Sequence, residues 1–193
     1  MGINMINKND NKPFIVAIAG GTSSGKSTLC ATLEEKLSCF KSITIHSDSY
    51  YKKILPKIIS PKSGITYDDY NHPNSVEKDE FIKAICSLNK SDADIIFIDS
   101  LFTLYYEETR NMSDLKIFID LPSDERLIRR VNRNLKRGLT FDEITTYYLD
   151  TVRYRHNEFI EPTRFFADLI INGNYNETTL DVITNWITSN LTE

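Results

Sequence analysis

The sequence predicts an α/β fold: a parallel sheet covered by helices on both faces. Three observations predict it. Runs such as "DIIFID" at 94–99 and "LKIFIDL" at 115–121 carry almost no polar relief, as strands buried on both faces do. Such runs alternate with longer amphipathic stretches, the pattern of βα units. The chain has 193 residues, enough for one domain with a full core and too few for two comfortable ones. Residues 1–193 are therefore read as a single domain.

The elements come in order along the chain. Residues 1–12 are polar and are read as a disordered tail. They lack the apolar core of a signal peptide, and Ile6 breaks the myristoylation pattern that Gly2 would open. Residues 14–19 form a strand and 26–39 a helix. Ser42–His46 is a second strand, rich in β-branched residues. Residues 75–89 are helical, with Phe81, Ile82, Ile85 and Leu88 on one stripe. The strands at 94–99 and 115–121 come next, and then helices at 123–136 and 140–161. Thr140 with Glu143 fits a capping box at the start of the second helix. A last strand at 167–171 and a helix at 177–191 complete the chain. Residues 52–74, with Pro56, Pro61, Gly64 and Pro73, are the one long irregular stretch, and loops of that length are more often functional than idle.

Composition excludes several classes. The net charge of −4 argues against a general nucleic-acid binder. No apolar run approaches the roughly 18 residues a membrane span needs. Cys30, Cys39 and Cys86 form no CxxC pair and suggest neither a disulfide framework nor a zinc site. A cytoplasmic protein is expected, and a homo-oligomer stays open.

"GGTSSGKST" carries the chemistry. Gly20, Gly25, Lys26 and Ser27 satisfy G-x-x-x-x-G-K-[ST] between a strand and a helix. Glycines let the backbone wrap so that its N–H groups face phosphate oxygens. Lys26 supplies a charge to the β- and γ-phosphates, and the Ser27 hydroxyl suits Mg²⁺. Gly20, Gly21, Thr22, Ser23, Ser24, Gly25, Lys26, Ser27 and Thr28 are thus the expected ATP-binding set, with Tyr175 added from the last βα turn.

Two carboxylates stand at strand ends, where ligands of open α/β sheets bind. Asp48 comes just after the second strand. It is either a base or orienting acceptor for an attacking hydroxyl, or the N-cap of a short helix. Asp99 ends another strand and either holds Mg²⁺ or caps the next segment. Arg126, Arg130, Arg133 and Arg137 are spaced 4, 3 and 4 and share one helix face. They read as a lid over transferring phosphate, as a solvated face, or as a nucleic-acid helix. Gly138 would end that helix. Tyr50, Tyr51, Tyr67 and Tyr70 line an acceptor pocket or are surface or core tyrosines.

Together these residues resemble the uridine kinase family of P-loop kinases, which includes phosphoribulokinase-like and nicotinamide riboside kinases. The resemblance spans about 14–186. It rests on "GGTSSGKST", "SDSYYK", "YNHPNS", "RLIRRVNRNLKRG" and "FIEPTRFFADLIING". It implies a P-loop NTPase fold with five parallel strands and a helical lid at 123–161. It implies ATP and Mg²⁺ as cofactors and a small-molecule hydroxyl acceptor, with residues 48–74 as the acceptor-binding region. Catalysis would rest on Asp48, Lys26, Arg130, Arg133 and Arg137, and the metal on Ser27 and Asp99. Acceptor contacts would come from Asp48, Tyr51, Tyr70, Asn71, His72, Arg130 and Tyr147.

The departures concern the acceptor. The family's Asp before His-Pro is Asn71 here, its Glu near the metal is Asp99, and an arginine after Arg137-Gly138 is Leu139. A family glutamine aligns with Tyr147, and the lid between Arg133 and Arg137 is one residue shorter. The hairpin with which uridine kinases grip the pyrimidine has no room between 89 and 94. The resemblance thus implies a kinase acting on a nucleoside or ribosyl compound. A kinase of another hydroxylated metabolite, a sugar or a vitamin, and a non-catalytic nucleotide-binding regulator are the alternatives.

Overall fold

β1 (Phe14–Gly20) is the spine of the sheet, and all seven of its residues are buried. Its side chains alternate between faces. Val16 and Ile18 enter one apolar cluster, and Ile15, Ala17 and Ala19 enter the other. Leu29 and Leu33 of α1 (Lys26–Lys36) and Leu180, Ile183 and Ile187 of α7 (Glu177–Leu191) close the first cluster. Phe81 and Ile85 of α2 (Lys78–Leu88), with Phe102, Leu104 and Ile160, close the second. Each fully buried isoleucine or phenylalanine is worth roughly 1.5–3 kcal/mol of transfer free energy. Burial on both faces therefore commits these runs to the interior of a helix-covered sheet.

The computed structural model describes residues 12–192, so the tail read at 1–12 lies outside the described residues except for Lys12. Five strands form the sheet: β1, β2 (Ser42–His46), β5 (Ile95–Asp99), β6 (Leu115–Asp120) and β7 (Leu169–Asn172). Their order is β2-β5-β1-β6-β7, and every pairing is parallel. The register sets Ile18 and His46 opposite Asp99, and Gly20 opposite Ile119. The glycine loop, the residues after β2 and Asp99 thus share the carboxyl edge.

Several boundaries differ from the sequence reading. The helix read at 26–39 stops at Lys36, where Leu37 leaves helical geometry. Pro73–Ser75 forms a separate 3-10 turn, and α2 starts only at Lys78. The stretch read as irregular holds a small antiparallel hairpin, β3 (Lys57–Ile59) with β4 (Thr66–Asp68). Strands of three residues are too short to show a period. A short helix, α3 (Glu107–Met112), has no counterpart in the sequence reading. Cys30 is buried, and Cys39 and Cys86 are exposed.

The segment read as a lid begins with α4 (Ser123–Leu135), and the chain turns at Gly138, φ +88°. α5 (Phe141–Tyr147) opens with the expected capping box, the Thr140 hydroxyl accepting from the Glu143 N–H. The single regular helix read at 140–161 is not what forms. α5 runs into a π turn (Tyr148–Val152), α6 (Arg153–Arg155) and a second π turn (His156–Ile160). Each π turn widens the ladder and shifts the facing of every later residue in the segment. Tyr148, Asp150, Thr151 and Val152 are consequently buried almost consecutively, which no 3.6-residue stripe anticipates.

Candidate active site

The glycine loop leaves β1 through backbone that side chains disfavour. Gly20 has φ +143° and Gly25 φ +106°. A Cβ on Gly20 would lie 2.7 Å from the Ile119 carbonyl oxygen, so glycine is required twice over. Even Ser23 takes φ +60°. The turn is pinned by the Ser24 N–H donating to the Gly21 carbonyl at 3.1 Å, and Gly25 caps α1. The Ser23 and Ser24 hydroxyls are buried with no partner among the described residues. Ser23, which borders both cavities described below, fits a site that awaits an anion, whereas Ser24 is fully buried and lines neither.

Lys26 bends back over this loop and donates to the Gly21 carbonyl at 3.1 Å. Burial pulls its amine below the usual lysine range, opposed first by the charge of Asp99 and then by that of Asp48. The Ser27 hydroxyl donates to Asp99 Oδ2 at 2.5 Å, and His46 Nδ1 reaches the same oxygen at 2.9 Å. Among the described residues no cluster of three or more His, Cys, Asp or Glu could hold a metal alone. Mg²⁺ needs fewer protein ligands, because phosphates and waters supply the rest. One hydroxyl and one carboxylate, both hard oxygen donors, fit that requirement.

Two cavities flank the loop. One, about 340 Å³, is lined by Lys26, Ser27, His46, Asp48, Tyr51, Tyr70, Asn71, Asp99, Arg130, Arg133, Arg137 and Tyr147, among others. The second, about 400 Å³, is lined by Ser23, Gly25, Lys26, Ser27, Thr28, Arg129, Arg133 and Arg137. Ser23, Lys26, Ser27, Arg133 and Arg137 belong to both. Asp48 belongs only to the first. These five side chains thus border both chambers, an arrangement suited to two substrates that meet at one phosphorus.

Asp48 is not an N-cap. It sits inside a 3-10 turn (Ser47–Tyr50) whose cap is His46, and no side-chain bond closes that cap. The lid arginines divide. Arg130 donates to the Thr22 hydroxyl at 3.1 Å and lies 5.8 Å over the Tyr147 ring. Burial, then Arg133, lowers its pKa; burial, then Arg137, lowers that of Arg133, where Asp48 opposes. Arg126, read on the same stripe, turns inward. It is 4% exposed, and its Nε–H donates to the Leu121 carbonyl. It packs under Gly21, where a Cβ would meet its NH1 at 2.6 Å.

Five expected site residues line neither cavity: Gly20, Gly21 and Ser24 of the loop, and His72 and Tyr175. His72 caps the 3-10 turn just after it, accepting from the Asn74 N–H, and stacks edge-on against Phe159. Tyr175 packs half-buried against the first core cluster. Conversely, sequence reasoning missed His46, Ser100, Leu101 and Asn134 in the first chamber and Arg129 in the second. Signals existed for two of them. His46 ends β2 two residues before Asp48, and 126, 129 and 133 are spaced 3 and 4, as good a helical face as the one chosen.

The first chamber's outer wall is aromatic. Tyr51 and Tyr70 meet edge-on with ring centres 5.5 Å apart, and Tyr147 meets Tyr67 at 5.7 Å. Tyr147 donates to the Asp68 carbonyl at 2.9 Å. Burial raises the Tyr51 and Tyr147 hydroxyls above the usual phenol range, so both remain neutral donors.

A glycine loop opening onto a helix, on a parallel five-stranded sheet with an arginine-bearing lid, defines the P-loop phosphotransferases. Comparison with known proteins narrows the class. Residues 61–179 match the phosphoribulokinase / uridine kinase family. A uridine kinase of Clostridium novyi (strain NT) is 32% identical, with 94% of this chain and 98% of that one covered. A uridine kinase of Lactiplantibacillus plantarum is 30% identical, with 96% and 99% covered. The solved phosphoribulokinase of Rhodobacter spheroides superposes with a TM-score of 0.60 at 13% identity, covering 84% of this chain and 71% of the other. The chain belongs to the phosphoribulokinase / uridine kinase family, enzymes that transfer phosphate to an alcohol. No helix among the described residues is long and apolar enough to cross a membrane.

Proposed function

We propose that this chain is a cytoplasmic kinase that transfers the γ-phosphoryl group of ATP to a primary hydroxyl of a nucleoside or ribosyl compound. One observation carries the reading: Lys26, Ser27, Arg133 and Arg137 line two chambers, and Asp48 stands in only one of them. ATP enters the second chamber and its terminal phosphate lies on the shared wall. The acceptor enters the first. Its oxygen bonds to the γ-phosphorus as the bond to the β,γ-bridging oxygen breaks, ADP leaves, and Asp48 takes the hydroxyl proton. Lys26 and the lid arginines stabilise the charge spread over the transferring oxygens. Ser27 and Asp99 would hold Mg²⁺, which neutralises phosphate charge when bound. The nucleoside assignment leans on relatives named uridine kinases.

A panel of acceptors with ADP release as readout tests this. Turnover with uridine, cytidine or another riboside is expected. Turnover confined to sugars or vitamins would replace the acceptor class. Tight ATP binding with no turnover on any acceptor would favour a nucleotide-binding regulator.

A further inference from the structure

Asp69 is a fully buried carboxylate outside the reacting set. Arg155 of α6 donates its Nε–H to Asp69 Oδ2 at 2.6 Å, and Asp69 Oδ1 accepts the backbone N–H of Asn71 at 3.1 Å. The intervening Tyr70 carbonyl accepts from the hydroxyls of Tyr51 and Ser75, both at 3.3 Å. Tyr70 and Asn71 both line the acceptor chamber. Arg155 is held in turn by Glu158, its NH1 donating to Oε2 at 2.5 Å.

With Asp69 fully buried and the Arg155 side chain only 17% exposed, such an ion pair is a poor source of stability, because desolvation offsets its attraction. An apolar pair of similar volume would hold the fold as well. A charged turn bonded through both carboxylate oxygens supplies geometry instead: one carboxylate ties the lid helix on one side to the Asn71 backbone on the other. Asn71 is a neutral amide, a weaker acceptor of acceptor hydroxyls than a carboxylate, so its placement matters more.

We infer that Asp69 and Arg155 are a positioning pair for the acceptor, holding Tyr70 and Asn71 in the first chamber from the lid helix. The pair touches neither the phosphate loop nor the second chamber, so its effect falls on the acceptor alone. This rests on the two-chamber kinase reading above.

Removing Arg155 alone leaves a buried, unpaired carboxylate, and that variant is expected to unfold readily. The informative variant is D69N/R155M, which removes both charges and keeps an amide oxygen for the Asn71 N–H. Its melting temperature and its affinity for a non-hydrolysable ATP analogue are expected to stay near wild type. Its KM for the riboside that wild type uses is expected to rise at least tenfold, with kcat changed less. A folded D69N/R155M enzyme whose acceptor KM stays within twofold of wild type overturns the inference, as does an equal loss of nucleotide affinity. If wild type itself turns over no riboside, the acceptor reading above fails separately. Amide exchange at Asn71 then decides: at least tenfold faster in the double variant is expected, and no change overturns the pair.

Discussion

Between Gly20 and Ser27 the phosphate loop is held by its own neighbours. Lys26 reaches a carbonyl five residues away, Ser24 one three residues away, and two left-handed glycines set the path. The wall of the first chamber has no such economy. It joins the residues after β2, the turn after β4, the end of β5 and the lid helix. Its ties span large separations: 79 residues for Tyr147 to Asp68, 83 for Tyr67 to Asp150 and 86 for Arg155 to Asp69. On the proposed reading, a chemistry common to all nucleoside triphosphates would rest on local backbone, and recognition of one acceptor on side chains gathered from afar, which can change one at a time.

The comparison can be broken most directly at its shared wall. Lys26→Met removes a preorganised charge from both chambers and is expected to cut kcat by about 10²–10³-fold. Weakened ATP binding should accompany it, checked by steady-state kinetics and nucleotide titration. Asp48→Asn acts on one chamber only. Turnover is expected to fall at least about 10²-fold, the scale of a positioned base. ATP affinity should hold, and loss of ATP binding with unfolding would make Asp48 structural instead.

Gly20→Ala asks whether the loop's path is dictated by its backbone. The added Cβ meets the Ile119 carbonyl at 2.7 Å in a conformation side chains disfavour. A loss of roughly 1–3 kcal/mol is expected in denaturant melts, with nucleotide binding weakened too.

The last prediction concerns His156, which opens the second π turn. Burial, then the Arg126 charge, pushes His156 down to about 4. Its Nε2 lies 3.2 Å from Glu161, and its Nδ1 is buried with no partner among the described residues. Because the unfolded histidine takes a proton near 6.5 and the folded one resists, stability is intact above that pH. It falls progressively toward pH 4. His156→Gln should flatten this part of the melting-temperature profile, and an unchanged slope would assign it to other groups.

Much of the molecule is legible in its sequence, and the reasons are physical. The apolar runs at 94–99 and 115–121 announce a two-sided sheet because only a helix-covered interior accepts them. Lys26 and Ser27 are legible because the loop they serve lies within a few residues of them. The hairpin β3–β4 escapes notice because three-residue strands show no period. The π turns escape because they alter the helical phase on which stripes are read. Arg126 is misplaced for a related reason: spacing identifies a face of a helix, and packing decides whether that face meets solvent, ligand or core.

By itself, then, the order of residues determined the five sheet strands and their main covering helices, the phosphate loop and the family, since each depends on neighbours or on periodic burial. Tertiary structure alone decided that Asp48 shares a chamber with Lys26, that His46 meets Asp99 and that Asp69 meets Arg155. Those contacts join segments roughly 20 to 90 residues apart, and only the packed sheet and lid bring them within hydrogen-bonding or Coulombic range.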